Sequence, residues 1–111
     1  MKTVDILGTK YKIVCDVDEE QLPEGADGSM DQSIHEIRIV RMERDRNSIE
    51  NLESYKKKVL RHEIIHAFLY ESGLWNNSCD VEGWGQSEEI TDWIAIQSPK
   101  IFNAFKEARC L

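Results

Sequence analysis

The stretch VLRHEIIHAFLYESGL, residues 59–74, decides how the chain arranges its most reactive side chains. Two histidines, His62 and His66, lie four residues apart with Glu63 between them, among apolar and helix-forming residues. An α-helix turns by about 100° per residue, so positions four apart are offset by about 40° and one turn. Both imidazoles can therefore reach one point in space, and Glu63 lies close beside that point.

This geometry is what a hydrolytic zinc site requires. Two neutral imidazoles bind the metal, and a neighbouring carboxylate removes a proton from the water that the metal activates. The other residues of the stretch leave little polar surface, so burial of His62, His66 and Glu63 would be costly without a role that satisfies them. We therefore predict that the histidines bind Zn²⁺ and that Glu63 is the general base. The alternative is a pair of structural histidines on one helix.

A catalytic zinc usually takes three protein ligands and one water molecule. No histidine follows His66, so the third ligand is expected from the acids of SEEITD, residues 87–92. Glu88 and Asp92 are four apart and share one helix face. One of them can reach the metal while the other reaches the outer nitrogen of a ligating histidine.

The two motifs together resemble those of gluzincin-type zinc metallopeptidases, which carry HExxH on one helix and Asn-Glu-x-x-Ser-Asp on the next. SEEITD is similar to the second motif, with Ser87 at the Asn position. The resemblance implies Glu88 as the third ligand, Glu89 as its rival, and Asp92 as the acid behind a histidine. The wider likeness is to minimal phage, prophage and bacterial peptidases, including, distantly, the repressor-cleaving ImmA/IrrE-like proteins.

The residues before this region predict a small sheet. Residues 3–17 form two β-prone runs with Gly8 at the turn between them, which is typical of a hairpin. Residues 18–31 are polar and contain Pro and Gly, so we expect a loop. Side chains of alternating character in residues 32–40 predict a third strand, in which Ile37 and Ile39 face the core. This strand is compatible with a position at the edge of the sheet. Alternation along the second strand predicts that its apolar side is half-buried, at Tyr11, Ile13, Cys15 and Val17.

The period becomes helical after residue 47. Asn47 and Ser48 are capping-type residues and Gly73 marks the far end, so either one long helix or a short separate helix from Ile49 to Tyr55 precedes the HExxH stretch. Residues 74–86 are expected to form a loop.

Two further helices are expected near the C-terminus. Ser87 is a plausible N-cap for a helix over residues 88–97. Pro99 should interrupt this helix, and residues 100–111 form a closing amphipathic helix.

The predicted fold class is α+β: one domain over residues 1–111, with a small, mainly antiparallel three-stranded sheet packed against the HExxH helix and one or two further helices. The family resemblance implies a zincin-like arrangement.

Composition excludes several classes. The chain of 111 residues is 41% apolar and 32% charged, with a net charge of −7, which is typical of a globular protein and a poor match for binding a phosphate backbone. The basic cluster Lys56–Lys58 with Arg61 is interpreted as a solvated helix face. No run approaches the about 20 apolar residues of a membrane span, and no secretory signal is evident, so we expect a cytoplasmic protein without nucleic-acid or membrane partners.

The cysteines, one further histidine and most of the aromatic residues lie outside the two motifs. The odd number and wide spacing of Cys15, Cys79 and Cys110 predict free thiols. His35 is expected to face solvent on its strand, with a catalytic role as the alternative. Tyr70 is expected to pack within its helix. Trp75, Trp84 and Trp93 are expected to be core or loop anchors, and the first two could line a substrate groove.

The leading hypothesis is a zinc-dependent metallopeptidase that acts on a peptide or protein substrate, with His62, His66 and Glu88 on the metal and Glu63 as the base. A second hypothesis is a catalytically silent metal-binding or scaffold protein of a phage or mobile element. A third is a structural zinc site closed by a fourth ligand such as Cys79 or Glu89, because a closed tetrahedral site leaves no position for water.

Overall fold

A computed structural model describes residues 2–44, 48, 50–78 and 83–111 and contains a mixed four-stranded sheet. The strands are β1 (Lys2–Ile6), β2 (Thr9–Val17), β3 (Gly28–Asp31) and β4 (Glu36–Val40). They lie in the order β1-β2-β4-β3. The pairs β1–β2 and β3–β4 are antiparallel, and the central pair β2–β4 is parallel.

The predicted fold class, with a mainly antiparallel three-stranded sheet, is therefore wrong. The strand that was missed is β3, whose sequence GSMD lies within the predicted loop 18–31. Four residues that include Gly and Asp give no alternating pattern and have low β-propensity. Because β3 occupies the edge of the sheet, β4 lies inside it, beside β2. The expected edge position of residues 32–40 is also wrong.

The β1–β2 hairpin forms with Gly8 at its turn, as predicted. Gly8 has a φ of 94°, a left-handed conformation that glycine adopts without steric cost. Its N–H donates a 2.9 Å hydrogen bond to Asp5 Oδ1. Turn geometry and side-chain capping together fix the register of the first two strands.

One position of β2 departs from the predicted alternation. Cys15 is exposed, although Val17 is buried as expected. The pairing with β4 shifts between Val14 and Val17, and Asp16 has a φ of 59°. A bulge of this kind inserts an extra residue, which turns a side chain out of the alternating pattern.

Helix α1 spans Leu52–Glu71 without a break, so the long-helix alternative is correct for the described residues. Its N-cap is Asn51, whose side chain accepts a 3.0 Å hydrogen bond from a backbone N–H of the first turn. Ser48 is not the cap. Asn47 and Ile49, which the sequence suggested as part of the helix start, lie outside the described residues.

Helix α2 (Leu74–Asn77) is a single turn inside the predicted loop, and α3 extends from Glu88 to Glu107 with Pro99 in its interior. The predicted break at Pro99 is therefore wrong. Proline lacks the N–H that would bond the carbonyl four residues earlier. That carbonyl belongs to Ala95, and Arg61 Nε of α1 donates to it at 2.5 Å. The side chain of Arg61, predicted to be solvated, thus compensates for the missing helix hydrogen bond.

The core lies between the sheet and α1. Ile37 and Ile39 face it, as predicted, and are at most 5% exposed. The buried cluster draws on β1, β2, β4 and α1 and consists of Ile6, Tyr11, Ile13, Ile37, Ile39, Val59 and Ala67. Within the described ranges, none of the helices combines the length and apolar character that crossing a bilayer demands.

Candidate metal centre

Two helices meet at the site that the sequence motifs predict. Helix α1 carries His62, Glu63 and His66, and α3 begins at Glu88. Ser87 is the N-cap of α3, and its Oγ accepts a 3.2 Å hydrogen bond from the N–H of Ile90. The cap fixes where α3 starts and so places the Glu88 carboxylate in front of α1.

Three side chains converge on one point. His62 Nε2 lies 3.1 Å from His66 Nε2 and 3.1 Å from Glu88 Oε2. His66 Nε2 lies 2.6 Å from Glu88 Oε1. In the part of the chain that the structure describes, this is the group of potential ligands close enough to hold one metal ion, with ligand atoms within 4.8 Å of one another.

The donor set fits a small divalent cation. A tetrahedral zinc with bonds of about 2.0–2.1 Å holds its ligand atoms roughly 3.3 Å apart. The 3.1 Å between His62 Nε2 and His66 Nε2 is near that separation, and the 2.6 Å between His66 Nε2 and Glu88 Oε1 is a direct hydrogen-bond distance. Imidazole nitrogen and carboxylate oxygen are also the ligands that zinc takes in catalytic sites. The two histidines and Glu88 could thus hold a metal ion.

Asp92 of α3 orients one imidazole. Its Oδ1 lies 3.1 Å from His62 Nδ1 and 3.0 Å from Lys58 Nζ. The hydrogen bond from Lys58, together with that from His62, lowers the pKa of Asp92, so the group is a carboxylate that accepts a hydrogen bond from His62 Nδ1–H. Nε2 of His62 is then left with its lone pair toward His66 and Glu88.

Burial disfavours the charged form of the second imidazole. His66 is buried, and burial lowers its pKa against the raising effect of the Glu88 charge. Its Nδ1 is buried without a hydrogen-bond partner among the described residues, whereas its Nε2 faces His62 and Glu88. A neutral imidazole is the form that binds a metal.

Glu63 lies beside the cluster and is only 7% exposed. Burial is the main cause that raises its pKa to about 7, with the Glu88 charge adding to the shift and His62 opposing it. A cation in the cluster would lower this pKa, because an opposite charge favours the ionised carboxyl.

Gly28 of β3 allows the edge strand to approach Glu63. A Cβ at this position would lie 3.0 Å from Val59 Cγ1 and 3.1 Å from Glu63 Oε2. Both distances are shorter than ordinary contacts, so the missing side chain lets β3 lie directly against α1. Sequence reasoning placed Gly28 in a loop and missed this role.

A groove passes the cluster along β3. One cavity of about 240 Å3 reaches from Gly28 toward Tyr55 and Lys58. Another of about 220 Å3 reaches toward Trp75. Both are lined by Gly28, Glu63 and Glu88. The cluster therefore forms part of the wall of an open groove, with cavity space on either side.

Several residues with predicted roles lie elsewhere. His35 belongs to the turn before β4, and its ring lies 5.3 Å from that of Tyr11, whose hydroxyl donates to Glu71. It is not part of the ligand group. Glu89 is exposed and also outside this group. Cys79 lies outside the described residues, and the free thiols of Cys15 and Cys110 are exposed.

The aromatic residues divide in the same way. The ring of Trp75 lies 5.6 Å from that of His66, edge-on. Trp75 also lines the groove, which was the alternative prediction for this residue. Tyr70 contacts the ring of Trp75 at 6.3 Å. Trp84 and Trp93 are 40% and 57% exposed, so neither is a core anchor. Lys58, predicted to be solvated, instead faces Asp92 in the groove.

No protein-family model, no curated protein and no solved structure matches the chain.

Proposed function

We propose that the chain is a zinc-dependent peptidase of the gluzincin type, with His62, His66 and Glu88 as metal ligands and Glu63 as the general base. The observation that carries this proposal is the convergence of three ligand atoms at one point in the groove wall, with a buried carboxylate next to them. A purely structural metal site has no need of that fourth side chain.

The ligand count supports catalysis rather than a closed structural site. Three protein ligands leave one coordination position, and the described residues supply no fourth candidate within the group. When bound, zinc would polarise a carbonyl group and lower the pKa of a water molecule.

The protein's own residues would handle the protons. Glu63 accepts a proton from the attacking water and delivers it to the amine that leaves when the peptide C–N bond breaks. Asp92 keeps His62 in the tautomer that presents Nε2 to the cluster. Burial of Glu63 limits competition from bulk water.

The edge of the sheet favours an extended peptide as substrate. β3 pairs with β4 on one side, and no described strand pairs with its other side. An extended peptide can add to such an edge through main-chain hydrogen bonds. Since Gly28 brings this edge against Glu63, a bound peptide bond would lie near the base and the metal ligands.

The test combines metal analysis with cleavage of an unstructured protein such as casein. The wild type is expected to bind one zinc per chain and to cleave the substrate until a chelator is added. Glu63→Gln should keep the zinc and lose about 10²–10⁴-fold in rate, the usual contribution of a general base. The control is Glu53→Gln, an exposed residue in the first turn of the same helix, which should match the wild type.

Two results would contradict the proposal. Full activity in Glu63→Gln would remove Glu63 as the base. Binding of one zinc ion per chain, without cleavage of any member of a peptide library, would instead support the hypothesis of a catalytically silent metal-binding protein.

A further inference from the structure

Lys58 is a partly buried cation that lines a groove rich in acidic side chains. Its side chain is 25% exposed and lies four residues before His62, on the same face of α1. The groove lining next to it carries four acids and no other Lys or Arg among the described lining residues: Asp27, Glu63, Glu88 and Asp92. A lone cation at this position needs a local explanation.

One oxygen atom, Asp92 Oδ1, links Lys58 to His62, one of the proposed metal ligands. Lys58 Nζ lies 3.0 Å from Asp92 Oδ1, and His62 Nδ1 lies 3.1 Å from the same oxygen. The ammonium group also lies 5.2 Å from the ring centroid of Tyr55, within the range of a cation–π contact. Lys58 is therefore fixed on two sides, and it fixes one carboxylate oxygen.

Asp92 needs such an anchor. Its side chain is 38% exposed, so its carboxylate has room to turn into solvent. An aspartate that turned away would leave His62 Nδ1 without its acceptor, and the imidazole would lose its preference for one tautomer.

We infer that Lys58 is a positioning residue of the metal centre: it holds Asp92 Oδ1 in place as the acceptor of His62 Nδ1–H, so that His62 Nε2 faces the ion. The inference rests on the metal centre of the proposed function, but not on peptide hydrolysis. It assigns Lys58 a role that acts through Asp92 and His62.

The sign of the effect separates this role from simple electrostatics. An ammonium group near a divalent cation repels it, so removal of Lys58 through charge alone would strengthen zinc binding. Loss of a positioning contact has the opposite effect, because partners of metal-bound histidines typically contribute about 10–100-fold in affinity. We expect Lys58→Met to weaken zinc binding about 10-fold, at the lower end of that range.

The experiment measures zinc affinity by competition with a chromophoric chelator. The matched control is Lys57→Met, which removes the same charge from an exposed neighbour and should leave affinity unchanged. Lys58→Arg keeps a cationic donor and should retain most of the affinity. The double variant Lys58→Met/Asp92→Asn should be no weaker than Asp92→Asn alone, since Lys58 acts through Asp92. Thermal unfolding of each variant verifies that it is folded.

A second measurement needs no metal. Long-range ¹H–¹⁵N spectra of the imidazoles in the metal-free protein report the tautomer of each histidine. We expect His62 to be the Nδ1–H form in the wild type and a mixture in Lys58→Met. Unchanged or tighter zinc binding in Lys58→Met, additive losses in the double variant, or an unchanged tautomer would each overturn the inference. A wild type that binds no zinc would overturn the proposed function, and the tautomer would still decide the role of Lys58.

Discussion

Replacement of Gly28 by alanine tests whether the close approach of β3 to α1 is built into the fold. The new Cβ would lie 3.0 Å from Val59 Cγ1 and 3.1 Å from Glu63 Cγ. Carbon atoms in contact prefer about 3.5–4.0 Å, so the strand or the helix side chains must move by roughly 0.5 Å. Overpacking of this kind costs about 1–3 kcal/mol in the free energy of unfolding.

The sign of the change makes the test decisive. Where a glycine is not needed for steric reasons, replacing it by alanine stabilises the fold by about 0.4–1 kcal/mol, because alanine lowers the conformational entropy of the unfolded chain. Gly28→Ala should instead lower the urea midpoint by about 1 M, given a urea dependence of about 1–3 kcal/mol per M. Tryptophan fluorescence follows the unfolding.

Ser29→Ala, at the next position of β3, serves as the control and should stay near the wild type. A midpoint for Gly28→Ala equal to or above that of the wild type would refute the steric account of Gly28.

Other predictions address the core, the half-buried Tyr55 and the third ligand. Ile37→Ala removes a fully buried side chain and should destabilise by about 2–5 kcal/mol in urea unfolding. The hydrogen bond to Asp27, helped by burial, raises the pKa of Tyr55 to about 12, so this contact stabilises the fold fully below pH 10 and progressively less as the pH approaches 12. Absorbance titration of tyrosinate against Tyr55→Phe checks this, and titration near pH 10 would contradict it. Glu88→Gln should weaken zinc binding by more than about 10-fold while Glu89→Gln leaves it unchanged, and the reverse order would make Glu89 the ligand.

Local patterns in the sequence carried most of the information about the ligand group. The spacing of His62 and His66 fixes their common face in any α-helix, and the capping residue Ser87 sets where α3 begins. Both features depend on neighbours within a few positions. The convergence of the two helices was expected from the family resemblance, and the structure brings the same three side chains together.

Features that depend on distant partners were not accessible in the same way. The four residues of β3 give no periodic signal. Because β3 runs antiparallel to β4 at the edge of the sheet, β4 lies between β3 and β2 and runs parallel to β2. The continuity of α3 through Pro99 depends on Arg61 from another helix. The role of Lys58 likewise depends on Asp92, 34 positions away. Each of these requires a tertiary contact that no short stretch of sequence specifies.

The coordination sphere of zinc in the loaded protein tests the central claim most directly. A crystal structure of the protein with zinc should show one ion bonded to His62 Nε2, His66 Nε2 and a carboxylate oxygen of Glu88, with a water molecule at the fourth position and Glu63 beside it. An ion held by four protein ligands, or bound elsewhere with the two imidazoles free, would contradict the account.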